Sequence, residues 1–186
     1  EPILLEGART LGLCSRAGDQ TRIRADADWF LPFRLELPAR GTTAWGWRLE
    51  GGREELRLFG AEGQPALLAG RLEALAGEER PVPGRLRLFA PELSFVSGEA
   101  RLIARGGVRL HLAGAGLLPG AEQGESTFWA RSLELRRSAP AREGEDPGPD
   151  TAHLIGRVFA LIADGERTTW AGGDRSEERR VGKECS

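Results

Sequence analysis

Apolar and polar residues alternate with period two along much of this chain, and turn-forming residues cut the alternation into short runs. Leu56-Arg57-Leu58, Leu86-Arg87-Leu88, Val108-Arg109-Leu110-His111-Leu112 and Leu133-Glu134-Leu135 all show it. Successive side chains of a strand point to opposite faces, so such runs make strands with one buried and one wet face. Between them stand Glu50-Gly51-Gly52-Arg53, Ala61-Glu62-Gly63-Gln64-Pro65 and Pro81-Val82-Pro83-Gly84, whose Gly and Pro favour turns. Gly and Pro fill 37 of the 186 positions and are spread along the chain, which favours many short strands over long helices. About ten to twelve strands are expected.

Two stretches read less simply. Thr151 to Ala163 places Leu154, Ile155, Val158, Phe159 and Ile162 at helical spacing, yet Leu154, Val158, Ala160 and Ile162 also share one strand parity. In Ala66 to Ala76, Leu68, Leu72 and Leu75 fit a helix as well as a strand. Periodicity leaves both open. Residues 138–150 are almost devoid of apolar side chains and hold three prolines, which marks a disordered surface loop.

Internal repeats favour strands. Gly124-Glu125-Ser126-Thr127-Phe128-Trp129-Ala130 recurs as Gly165-Glu166-Arg167-Thr168-Thr169-Trp170-Ala171, and more loosely as Gly18-Asp19-Gln20-Thr21-Arg22-Ile23-Arg24-Ala25. Each copy follows an apolar run. The unit reads as strand, Gly-bearing turn, then a second strand entered through Thr. A shorter phrase recurs as Gly70-Arg71-Leu72, Gly84-Arg85-Leu86 and Gly156-Arg157-Val158. The repeat argues for strand over 154–162.

Composition separates off the C-terminus. Every basic residue before Lys183 is Arg, and Asn, Tyr and Met are absent, as a G/C-rich coding sequence would give. The run Arg175 to Cys185 breaks this pattern and resembles a translated sequencing adapter, so 175–186 is expected to lie outside the fold. The chain opens at Glu1 without Met and is expected to be a fragment. The organisation that results is a β-repeat body over 1–137, a loop over 138–150 and a further truncated repeat over 151–174.

Several function classes find little support. Acidic and basic residues nearly balance, 28 against 26, with no basic stripe to follow a nucleic-acid backbone. Without the tail only Cys14 remains, so neither an internal disulfide nor a thiolate metal site is expected, and Cys14 reads as a small buried apolar residue. His111 falls on the polar side of an alternating strand, and His153 beside Asp150 and Thr151 flanks the loop. Asp26 and Asp28 read as a solvated edge. No nucleophile elbow or phosphate loop occurs. The expectation is a non-enzymatic protein with no cofactor and no metal.

Gly107-Val108-Arg109-Leu110, a turn, and then Trp129-Ala130-Arg131-Ser132-Leu133-Glu134-Leu135 resemble the repeat of the OstA-like proteins, the periplasmic components of lipopolysaccharide transport. Gly156-Arg157-Val158 through Trp170-Ala171 resembles a further copy. The resemblance implies an all-β, jellyroll-like folded sheet built from strand-pair repeats. It also implies a periplasmic protein that binds an amphipathic, lipopolysaccharide-like lipid in an apolar groove, membrane-anchored through an absent N-terminus. Leu86, Leu88, Val108, Leu110, Leu112, Trp129, Leu133, Leu135, Val158 and Ile162 are the expected lining. Parity places Trp129 with Leu133 and Leu135, and Trp45 with Trp47 and Leu49. The expected partners are a lipid or glycolipid, and another β-repeat protein pairing at an edge strand. The alternative is a structural or adhesive β-repeat module with a filled core.

Overall fold

The computed structural model describes residues 4–16, 20–28, 30–37, 42–52, 54–72, 84–96, 101–114, 124–136, 151–164, 167–173 and 178–180. Among them are sixteen strands and no helix, and every strand pairing is antiparallel. The first eight strands are β1 (Leu4–Glu6), β2 (Ala8–Arg16), β3 (Gln20–Ala27), β4 (Phe33–Leu37), β5 (Thr42–Gly46), β6 (Arg48–Gly51), β7 (Glu55–Phe59) and β8 (Ala66–Leu72). There follow β9 (Gly84–Ala90), β10 (Glu92–Val96), β11 (Arg101–Ala113), β12 (Glu125–Arg136), β13 (Thr151–Ile155), β14 (Val158–Asp164), β15 (Arg167–Gly173) and β16 (Glu178–Arg180).

The sheet is folded over on itself as a jellyroll-like pair of leaves. Leaf one runs β1-β4-β5-β8-β9 and leaf two β2-β3-β6-β7-β10. The long strands β11 and β12 belong to both. The second half of β11 pairs with β9 and its first half with β10. Likewise the first half of β12 pairs with β14, which carries β15, while its second half pairs with β13. The chain therefore turns back within a leaf at each hairpin and changes leaf at each corner.

The corners line up across the strands. Backbone bonds Ala27 N to Trp47 O at 2.8 Å, Trp47 N to Phe59 O at 2.9 Å and Gly60 N to Pro91 O at 2.8 Å carry the ladder through them. Further along, Gly106 and Gly107 of β11 bend with φ of 88° and 96°, and Gly156 bends between β13 and β14 with φ of 97°. Left-handed φ is open to Gly at little cost, which explains its place at these bends.

Alternation then decides which side is buried. Phe33, Leu35, Leu68, Leu88, Val108, Leu110, Phe128 and Ala160 face inward from leaf one, and Ala25, Leu49, Leu58, Leu93, Leu102, Ala104 and Leu133 from leaf two. All belong to one contiguous cluster, so each leaf covers the other. Burying each large side chain stabilises the fold by about 1.5–3 kcal/mol. A Cβ at Gly46 would stand 2.5 Å from Leu58 Cδ1, so the missing side chain there lets β5 and β7 approach.

Outside, leaf two carries a ladder of ion pairs. Arg24 pairs with Asp26, Arg48 with Glu50, Arg57 with Glu55 and Arg105 with Glu92. Glu134 accepts from Arg136 Nε at 2.5 Å and Arg101 Nη1 at 3.4 Å. The Arg136 hydrogen bond, opposed by desolvation and aided by Arg101, holds the Glu134 carboxyl below its ordinary value. A depressed folded-state value contributes stability above the unfolded-state pKa of about 4.3 and loses it as pH falls through the folded value. Glu134→Gln is thus expected to cost about 1 kcal/mol at neutral pH. In urea titrations the deficit should shrink below about pH 4; a pH-independent deficit would assign the effect to packing.

The structure settles the two open stretches as strands and changes several other expectations. Thr151–Ile155 and Val158–Asp164 are strands separated by the Gly156 corner, and Ala66–Leu72 is a strand. Sixteen strands replace ten to twelve because corners divide runs that look continuous in sequence. Residues 151–164 continue the body's sheet through β12. Glu178–Arg180, expected outside the fold, pairs with β13, because an open edge accepts an extended segment whatever its composition. The parity of Trp45 and Trp129 is also corrected. Ala44 and Leu49 are buried on either side of the Trp47 corner, so Trp45 points out. Phe128 and Ala130 are buried before the corner at Arg131 and Leu133 after it, so Trp129 points out while Leu133 points in. Trp29 and residues 138–150 lie outside the described residues, as does the side chain of Cys14.

Candidate functional site: an apolar interior and an outer groove

Nine of the ten residues expected to line a groove lie on the inward side. Leu88, Val108, Leu110, Leu112, Leu133 and Ile162 are buried, and Leu86, Leu135 and Val158 half-buried. Register makes rows of them. Leu110 stands opposite Leu88 and Phe128, Leu112 opposite Leu86, and Leu135 opposite Leu102. In the middle of the sheet the interior is closed, with Leu58, Leu88 and Leu93 at 0% exposure. Among the described residues β1 and β2 are edges at one end and β15 and β16 at the other, and Leu11, opposite the buried Ala25, is 59% exposed. Among the described residues no strand pairing joins the hairpin rims of the two leaves.

The second feature lies outside leaf one. One rung of outward residues reads Trp45, Leu67, Phe89, Arg109, Trp129, Phe159 and Gly172 across seven strands. Its register is continuous because antiparallel partners share a face. The Arg109 guanidinium sits 4.3 Å above the Phe89 ring. Trp129 and Trp170, equivalent positions of two repeat copies, stack at 6.3 Å between centroids and 14° between planes. Large rings beside Gly107 and Gly156 leave a groove of about 990 Å³, bordered also by Arg131 and Arg157. A hollow of about 350 Å³ adjoins it beyond Phe159, over Gly172 and Gly173.

The polar candidates are occupied in ordinary ways. His111 Nδ1 lies 3.1 Å from Thr127 Oγ1 on the outer face. His153 stands opposite Glu134 in the ladder. Asp26 and Asp28 pair with Arg24 at 3.2 Å and Arg9 at 4.0 Å. No group of three His, Cys, Asp or Glu side chains able to hold a metal occurs among the described residues. Comparison with family models, with curated proteins and with solved structures finds no match for this chain.

The outer groove was not legible as a site in the repeat pattern, although it left a signal. Phe89, Trp129 and Phe159 are large apolar residues at outward positions, where the alternation calls for polar ones.

Proposed function

We propose that the chain binds the acyl portion of an amphipathic, lipopolysaccharide-like lipid between its two leaves, as a non-enzymatic carrier in the periplasm. The observation that carries this reading is an apolar interior shared by the two leaves of a folded sheet, with edge strands at its ends and, among the described residues, no strand pairing across its rims. Along the rims no strand pairing between described residues has to break for the leaves to part. Acyl chains would then replace the contacts between Leu88, Leu110 and Leu133, at about 25 cal/mol per Å² of apolar surface removed from water. The open edges offer backbone groups to another β-repeat protein, extending the interior from one protein to the next. The seating of Glu178–Arg180 on β13 is the same pairing on a small scale.

A second reading has an observation of its own. The closed middle of the interior is what a structural β-repeat module with a filled core would have. A photo-crosslinking residue at Leu135, inside and half-buried, and another at Arg57, outside, separate the two readings. With lipopolysaccharide added, crosslinks from position 135 and not 57 are expected, together with lipid retained in native mass spectra. A protein that retains no lipid, or crosslinks only from position 57, leaves the structural module as the answer.

A further inference from the structure

Arginines on the outer faces are mostly satisfied by carboxylates, and on leaf one Arg34 pairs with Glu6 and Glu36. On leaf two Arg24, Arg48, Arg57, Arg101, Arg105 and Arg136 each pair with a carboxylate. Around the groove on leaf one no carboxylate takes part in the lining. Arg109 lies over the Phe89 ring, and among the described residues neither it nor Arg131 has an ion-pair partner. These two guanidinium groups border a hollow that Arg157 also lines, walled by Phe89, Trp129 and Phe159, with Phe159 47% exposed.

We propose that this groove is a binding site for a small organic anion, a carboxylate, sulfonate or phosphate attached to a flat apolar body. The rings gain by being covered, and Arg109 and Arg131 by receiving an anion that no other described residue supplies. Guanidinium is the cation suited to both tasks, because its planar fork grips an oxyanion while its face lies on an aromatic ring. The volume is that of a site for a ligand of a few tens of atoms. The site is distinct from the interior: Phe89, Arg109, Trp129 and Phe159 have the opposite parity and its ligand carries charge.

Two fluorescent probes that share one body test it: 8-anilinonaphthalene-1-sulfonate and the uncharged N-phenyl-1-naphthylamine. Titrated into the whole chain, the sulfonate is expected to bind at least tenfold more tightly than the neutral dye and to quench tryptophan emission through Trp129 and Trp170. Arg109→Gln and Arg131→Gln should each weaken the sulfonate by roughly tenfold, the loss of one charge-assisted contact, and leave the neutral dye unchanged. Phe159→Ala should weaken both dyes, and Arg57→Gln neither. Urea unfolding midpoints within error of the parent protein certify each variant as folded. Equal affinity for the two dyes, or sulfonate binding indifferent to both arginine substitutions, overturns the proposal and assigns the signal to adsorption on apolar surface. Failure of the lipid reading is seen separately, in crosslinks from position 135.

Discussion

Leu88→Asp is expected to leave the chain unfolded at room temperature, and Leu88→Ala to cost about 3 kcal/mol. Leu88 has no exposed surface, stands opposite Leu68 and Leu110 in leaf one, and is roofed by leaf two. No Lys or Arg is among the buried described residues, so a carboxylate there meets no cation among them. Burying it costs several kcal/mol, which is comparable to the whole stability of a domain, about 5–15 kcal/mol. Circular dichroism and urea titration read both outcomes. The neighbouring Arg87→Ala, on the exposed side, should change stability by no more than about 0.5 kcal/mol. A folded Leu88→Asp protein with normal cooperativity would mean that the leaves do not pack on one another.

Gly156→Val is expected to cost about 3 kcal/mol, because it combines two penalties. The φ of 97° is one that side-chain-bearing residues rarely adopt, and a Cβ would stand 2.7 Å from the Cβ of Arg131. Neither atom can swing away, since each is fixed to its own backbone at the corner. Gly63→Ala separates the two effects. Gly63 has a φ of 70° with nothing near its Cβ position, so only the backbone strain remains, about 1 kcal/mol. Urea midpoints measured side by side give the difference. Equal losses at the two sites would mean that contact between Gly156 and Arg131 contributes nothing to the corner.

Most inward positions were legible before any tertiary information. Leu88, Leu110 and Leu133 follow from period-two alternation alone, since water on one face and apolar surface on the other leave no alternative assignment. The repeat was legible too: its three copies open β3, β12 and β15, each paired with the strand before it. Trp45 and Trp129 were not. Both precede a corner where an extra residue enters the strand, and one extra residue moves every later side chain to the other face. Alternation counted from Leu133 back to Trp129 passes through Arg131 without seeing it.

By itself, the sequence determined that this is an all-β chain, which positions face inward within each run, and that its strands come in repeated pairs. Those properties are local: they depend on the two-residue period of an extended backbone and on Gly and Pro in turns. Only the tertiary structure decided where the sheet folds over, which leaf each strand joins, and hence which aromatic residues meet Arg109 and Arg131 outside. That depends on register between strands far apart in sequence. Phe89, Arg109, Trp129 and Phe159 share one rung only once four strands have paired, and no local pattern encodes the pairing.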